Sequence, residues 1–211
     1  MKKKLMTVLA LVLVIAMSVA GTYAYLTSAD EVVNTFTVGN VKINLDEAAA
    51  NPDGTLVPNA DRVKENSYKL LPGHTYAKDP TVTVLKGSEE CYVKMTVTFS
   101  DAAALDAIFA PTGADMTSIF NGYDGTTWIY QGNTKNADNT RTYEFWYKDT
   151  VDALNEAVVL EALFDSITVP GGINNDQLAT IEGMTITVNA YAIQADGFTT
   201  ADAAWAAYPA A

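Results

Sequence analysis

The chain has 211 residues, with 13 lysines and arginines against 25 aspartates and glutamates, and its formal net charge is −12 at pH 7. This acidic balance argues against binding to nucleic acid or to anionic membrane surfaces, since both require basic patches. A single cysteine, Cys91, excludes an internal disulfide. Because Cys91 lies in a strand-like segment, we expect a small buried apolar residue rather than a reactive thiol or a link between chains.

The first 24 residues have the pattern of an export signal. Three lysines at positions 2–4 precede an apolar run from Leu5 to Ala20, and small residues follow. A basic start, an apolar run and a small residue at the cut site are typical of a secretory signal peptide. The run is shorter than the ~20 residues needed to cross a bilayer, which favours a cleaved signal over a retained membrane anchor. Cleavage after Ala20 and cleavage after Ala24 both fit the small-residue rule.

Alternating apolar and polar residues predict a series of short strands. Thr35–Leu45 alternates with a shift of phase at Gly39–Asn40, which indicates a bulge or a break between two strands. The polar segment Asp46–Asn66 contains the turn residues Asn51–Gly54 and predicts a long surface loop. Further strands are predicted over Thr81–Leu85, Tyr92–Phe99, Thr126–Gln131, Thr140–Lys148, Ile167–Val169 and Met184–Ile193.

Short helices are predicted between some of these strands. Ser100 or Asp101 would cap a helix that carries Leu105, Ile108 and Phe109 at helical spacing. A second helix is predicted over Asn174–Ile181, and a third would begin at Thr199, with Asp202 completing a capping box. The segment Asn155–Phe164 fits either a helix or a strand. Many short strands with few helices predict an all-β fold, an antiparallel β-sandwich with helical connections.

The strands 126–131 and 140–148 form the clearest predicted hairpin, with residues 132–139 as its loop. Aromatic side chains are concentrated on both strands. Cross-strand packing is the favoured role for such a cluster, and a carbohydrate-binding platform is the alternative. The residues that would form this surface platform are Trp128, Tyr130 and Trp146.

The junction Gly21–Tyr25, followed closely by Asn34–Val41, resembles the TasA/camelysin family of Gram-positive bacteria. Shorter similarities lie at Leu71–Thr75 with Lys78–Val84, at Cys91–Val97 and at Ile186–Phe198. The resemblance implies cleavage by a SipW-type signal peptidase between Ala24 and Tyr25. It also implies a jelly-roll-like β-sandwich, and assembly into biofilm-matrix fibres in which each subunit donates a strand to the next.

The camelysin name carries a metalloprotease label, which the residues of this chain do not support. A catalytic zinc site needs three protein ligands, commonly including two histidines at helical spacing. The sequence has one histidine, His74, beside the Pro72–Gly73 turn, where a surface role is expected. No Gly-x-Ser-x-Gly motif accompanies it. We therefore expect no enzymatic activity and no metal or other cofactor.

These observations divide the chain into a signal peptide (1–24), an N-terminal arm (25–40) and a β-sandwich domain (41–211). Once the signal is removed, the arm lies at a free chain end and can add a strand to the open sheet edge of a neighbouring copy. Such a contact is head-to-tail and extends without closing unless the rotation generates a ring. The donor-strand residues would be Tyr25, Leu26, Val32, Val33, Phe36 and Val38.

The expected function is that of an exported structural subunit that polymerises into an extracellular fibre of the biofilm matrix. Its partners would be further copies of itself and, during export, the SipW-type signal peptidase. The sequence leaves open whether an accessory fibre subunit is needed. The expected location is the extracellular matrix or cell surface, with no nucleic-acid partner and no stable membrane anchor after processing. The alternative function is that of a monomeric secreted β-sandwich that binds a glycan or another surface.

Overall fold

A computed structural model describes residues 40–109 and 116–209. The strands in these ranges are β1 (Ile43–Asp46), β2 (Thr75–Ala77), β3 (Thr81–Val84), β4 (Ser88–Phe99), β5 (Phe120–Asn121), β6 (Trp128–Lys135), β7 (Arg141–Tyr147), β8 (Val151–Ala153), β9 (Val158–Val159), β10 (Ser166–Thr168) and β11 (Ile186–Gln194). The helices are α1 (Ala102–Phe109), α2 (Asn175–Thr180) and α3 (Ala201–Ala207), and Met116–Ser118 forms a 3-10 turn.

The strands form antiparallel sheets. The largest sheet has the order β11–β4–β7–β6, and β8 pairs with the beginning of β4. The strands β1–β3–β9 form a second sheet, and β2–β10–β5 form a third. The prediction of an all-β fold with short helical connections is confirmed at this level of detail.

Strand β4 is the centre of the core because its alternation places a continuous apolar row on one face. The residues of that row are at most 1% exposed, and they are Cys91, Val93, Met95, Val97 and Phe99. Phe120 packs against this row and stacks on Phe164 with ring centroids 4.5 Å apart. Aromatic pairs of this kind contribute stability beyond the area they bury. The predicted strand 92–99 is therefore confirmed, although β4 begins four residues earlier, at Ser88.

The cap of α1 is one of its two predicted candidates, and the cap of α3 differs from its prediction by one residue. The Asp101 carboxylate accepts hydrogen bonds from the backbone N–H groups of Ala103 and Ala104, both at 2.9 Å, so Asp101 begins α1. Asn174 begins α2 with a complete capping box. The prediction of Thr199 as the last cap is wrong, because Thr200 has the extended backbone and accepts the N–H of Ala203 at 3.2 Å. Thr199 and Thr200 are adjacent and have the same side chain, so the sequence alone does not show which of them caps the helix.

The hairpin loop is shorter than predicted. Residues 133–135 continue β6 and pair with residues 141–143 of β7, so the predicted loop 132–139 is wrong in its first half. The register shifts between Tyr130 and Gly132, which marks a bulge. Polar residues and a glycine resemble a loop in sequence, but here they form the exposed end of an edge strand.

The segment Asn155–Phe164, for which the sequence fitted either a helix or a strand, is mostly irregular and contains only the two-residue strand β9.

The long loop that follows β1 is confirmed, and an arginine fastens it to the sheet. Arg62 pairs with the carboxylates of Asp46 and Asp79 and donates to the Thr81 hydroxyl at 2.8 Å. Backbone bonds between Glu47 and Val63, at 2.9 and 2.7 Å, close the loop at its base. The loop therefore has a defined path along β1 and β3.

Helix α3 covers the outer face of the largest sheet through Trp205. The Lys94 ammonium of β4 lies 4.7 Å from the Trp205 ring centroid and is also within 6 Å of the Tyr191 and Tyr208 rings. Trp146 of β7 packs beside Trp205, with ring centroids 6.2 Å apart. A cation over aromatic faces is attracted by the ring quadrupoles, so Lys94 helps hold α3 on the sheet.

Cys91 is expected to be unreactive in the folded protein. Its side chain is fully buried, its thiol lies 3.7 Å from the Val151 carbonyl, and burial raises the thiol pKa to about 11. The thiolate is the nucleophilic form, so few thiols are ionised near neutral pH. We expect a thiol reagent such as DTNB to label the chain only after unfolding, whereas a Thr187→Cys variant, exposed on β11, should react at once. Rapid labelling of native Cys91 would contradict this placement.

Candidate functional site

A groove lies between the edge strands of two sheets in the described part of the chain. Strand β1 lies on one side, β11 and α2 on the other, and residues 64–70 of the long loop line the space between them. The cavity has a volume of about 1080 Å³ and contains both apolar and charged side chains. Its geometry depends on two strands from opposite ends of the domain.

Strand β11 presents a free edge to this groove. On its other side it is bonded to β4, with Ser100 N–H donating to Thr185 O at 3.0 Å and Ala195 N–H donating to Glu90 O at 2.7 Å. In an antiparallel pair such bonds recur at every second residue. The backbone groups that point away from β4 therefore belong to Ile186, Val188, Ala190 and Ala192. No strand in the described ranges pairs with this edge.

The same four residues also place apolar side chains toward the core. They lie opposite Phe99, Val97, Met95 and Val93 of β4, and residues paired across an antiparallel ladder share a face. All four side chains are half-buried and contact the core. The edge thus offers unpaired backbone donors and acceptors next to a partly open apolar surface, which is the arrangement that accepts an added strand.

The β1 side of the groove is less accessible to a strand. Leu85 N–H donates to Lys42 O at 2.8 Å, so the backbone groups of Leu45 face away from β3. The Lys64 ammonium donates to Leu45 O at 2.5 Å and to the Asn44 amide oxygen at 2.5 Å. Because a lysine occupies this carbonyl, β11 is the open edge of the pair.

A buried polar cluster forms part of the groove wall. The Glu47 carboxylate, in a residue only 5% exposed, accepts from the Lys78 ammonium at 2.6 Å and from the Asn66 amide at 3.0 Å. The Tyr68 hydroxyl donates to Ala77 O at 2.5 Å, and burial together with the nearby Glu47 charge raises the pKa of Tyr68. No sequence pattern pointed to this cluster, because Glu47 and Lys78 are 31 positions apart and Asn66 lies in a loop.

The favoured role of the hairpin aromatic residues, cross-strand packing, fits the structure, and the three residues of the alternative surface platform do not share one exposed face. Trp128 is fully buried, and its indole N–H donates to Glu161 O at 3.0 Å. Tyr130 is half-buried, with its ring 5.6 Å from that of Phe145. Trp146 pairs with the exposed Ile129 and therefore lies on the opposite face of the sheet. The alternative role of Trp128, as a surface-binding residue, is wrong, because the hairpin aligns its side chain with the core.

The predicted processing and donor residues lie outside the described residues. They are Ala24, Tyr25, Leu26, Val32, Val33, Phe36 and Val38. His74 is exposed, and the centroid of its ring lies 6.4 Å from that of Tyr76. Within residues 40–109 and 116–209, no group of three His, Cys, Asp or Glu side chains is placed to hold a metal ion.

None of the helices in the described part of the chain is long and apolar enough to span a membrane. Comparison with protein-family models, with curated proteins and with solved structures gives no match for this chain.

Proposed function

We propose that the chain is an exported structural subunit that polymerises head-to-tail into an extracellular fibre. The N-terminal arm of one copy, residues 25–40, would use its donor residues Tyr25 to Val38 to add a strand to the free edge of β11 in the next copy. The domain would then be a jelly-roll-like sandwich, open between β1 and β11 until the arm of a neighbour enters. The observation that carries the proposal is the row of outward backbone groups from Ile186 to Ala192 beside the groove.

The sequence of the arm suits this edge. Its apolar residues, among them Leu26, Val33 and Phe36, would enter the groove while its backbone pairs with β11. The export signal pattern, the acidic composition and the resemblance to the TasA/camelysin family support the same proposal. Processing between Ala24 and Tyr25 would free the arm.

The free energy of binding between the arm and β11 requires a hydrogen-bonded ladder in addition to the burial of apolar side chains. Burial of three apolar side chains contributes roughly 5–9 kcal/mol, and association costs an estimated 4–15 kcal/mol. Ladder hydrogen bonds contribute ~0.5–1.5 kcal/mol each. Since each outward residue of β11 offers one donor and one acceptor, a strand paired along Ile186–Ala192 would make the contact favourable.

The first test compares protein that begins at Tyr25 with protein that begins at Gly39. Both are purified as monomers, then concentrated and acidified, because protonated carboxylates repel one another less. We expect negative-stain microscopy to show fibres for the longer form and monomers for the shorter one. Fibres from the Gly39 form would overturn the proposal. Monomers from both forms, as expected if the arm occupied its own groove, would overturn spontaneous polymerisation.

A pair of proline variants in the form beginning at Tyr25 tests which edge accepts the strand. Proline is tolerated on an edge strand at a position where the backbone N–H points away from the sheet. It removes from that edge a donor that would otherwise bond to an incoming strand. Ala190→Pro places this change on the free edge of β11, where the Ala190 N–H faces away from β4. Asn133→Pro is the matched control on β6, where the bond from Asn136 N–H to Thr140 O shows that the Asn133 N–H faces away from β7. We expect loss of fibres in the first variant only, with both still folded by circular dichroism.

A further inference from the structure

One buried carboxylate contacts both an amine and a carboxamide, each through a different oxygen. Glu47 Oε2 accepts the Lys78 ammonium at 2.6 Å, and Glu47 Oε1 accepts the Asn66 Nδ2 group at 3.0 Å. The side chains of Lys78 and Glu47 are only 11% and 7% exposed. A lysine amine can react with an asparagine carboxamide when a third group moves the protons between them. The cluster contains all three groups.

The backbone orients the carboxamide of Asn66 for such a reaction. Asn66 Oδ1 accepts the N–H of Ala50 at 2.9 Å, and Nδ2 also donates to Ala48 O at 2.9 Å. A fixed N–H on the carbonyl oxygen stabilises the negative charge that develops there when the carbon is attacked. The rings of Tyr68 and Tyr76, with centroids 5.4 Å apart, line the same cavity as Glu47, Asn66 and Lys78.

We propose that Lys78 and Asn66 join in an intramolecular isopeptide bond, with Glu47 as the proton-transfer group. Glu47 takes a proton from the Lys78 ammonium, and the neutral Nζ attacks Cγ of Asn66. The carbonyl electron pair moves to Oδ1, where the Ala50 N–H holds it. Glu47 then passes its proton to Nδ2, the Cγ–Nδ2 bond breaks, and ammonia leaves with the second proton of Nζ. The net reaction converts an ammonium and a carboxamide into a secondary amide and one ammonium ion.

The bond would be a covalent tie in a chain whose single cysteine excludes an internal disulfide. It would fasten the end of the long loop to Lys78, the residue that follows β2. The inference does not depend on the proposed fibre, since it concerns side chains of one domain.

A second cluster of similar residue types provides an internal comparison. Lys64 Nζ donates to Asn44 Oδ1 at 2.5 Å, and Asn44 Nδ2 donates to Asp46 Oδ2 at 2.5 Å. Lys64 is exposed, and the other oxygen of Asp46 is engaged by Arg62 rather than by Lys64. Without a carboxylate that contacts both groups in a buried site, no reaction is expected there.

The test is mass spectrometry of the full folded chain after trypsin digestion. We expect one linked product in which residues 65–69 are joined to residues 70–86, uncut after Lys78 and lighter than the sum of the two peptides by one ammonia. Lys78→Arg, Asn66→Ala and Glu47→Gln should each yield unlinked peptides, and Lys64→Arg should keep the link between Asn66 and Lys78. Asn66→Asp should form the same link with loss of water in place of ammonia.

Folding of each variant is verified by circular dichroism, so that a missing link is not confused with a missing fold. Unlinked peptides from folded wild-type protein would overturn the proposal and leave Lys78, Glu47 and Asn66 as a non-covalent network. A link that persists in Glu47→Gln would overturn the role of Glu47.

Discussion

Replacement of Trp128 by alanine is expected to destabilise the domain by about 3–5 kcal/mol. The side chain is fully buried, its ring packs on Tyr147 with centroids 5.1 Å apart, and its N–H satisfies the carbonyl of Glu161. Truncation removes this packing and leaves a cavity that the surrounding strands fill only in part. Urea denaturation followed by circular dichroism measures the change in the free energy of unfolding.

Ile129→Ala is the matched control for this prediction. Ile129 is the next residue of β6 and is 40% exposed. We expect its truncation to cost less than about 1 kcal/mol, because most surface substitutions have small effects. A Trp128→Ala variant that keeps its stability but loses binding to a glycan array would contradict the buried placement and favour the surface-binding alternative.

Gly54→Ala is expected to destabilise the domain by roughly 2–5 kcal/mol, the sum of a backbone cost and a steric cost. Gly54 has φ +89°, a conformation that side-chain-bearing residues rarely adopt. An added Cβ would lie 2.5 Å from the Thr75 carbonyl oxygen and 2.8 Å from the Tyr76 Cα. Since these are backbone atoms of β2, the long loop would have to move away from the sheet. Thermal unfolding monitored by circular dichroism measures the loss.

Gly87→Ala separates the two costs. Gly87 has φ +84°, but no heavy atom lies within 4 Å of the position that its Cβ would take. Only the backbone cost of about 1–2 kcal/mol is expected there. Equal destabilisation by the two substitutions would mean that the close approach of Gly54 to β2 does not hold in solution.

The sequence predicted best those elements whose pattern is local. The alternation of Tyr92–Phe99 placed β4 and its inward face, and capping chemistry narrowed the start of α1 to Ser100 or Asp101. A buried strand and a capped helix end leave a signal within a few residues, because each residue's role depends on its near neighbours.

Features that depend on distant segments were not predicted. The groove requires β1 and β11 to lie side by side, and the Glu47–Lys78–Asn66 cluster requires the long loop to fold back onto the residue after β2. The platform of Trp128, Tyr130 and Trp146 failed for a related reason. Composition shows that aromatic residues are frequent in the hairpin, but the pairing of β6 with β7 decides which of them face the core.

The pairing of β4 with β11 also has a mechanical consequence. Nine residue pairs join the two strands, from Ile186 with Phe99 to Gln194 with Cys91, and Asn40, where the described domain begins, is bonded to Glu89 of β4. In a fibre of the proposed kind, tension along the arm would enter the domain through β1 and leave it through β11, and these two strands belong to different sheets. The β4–β11 ladder would then anchor the outgoing strand, while packing between the two sheets would carry the force from one strand to the other.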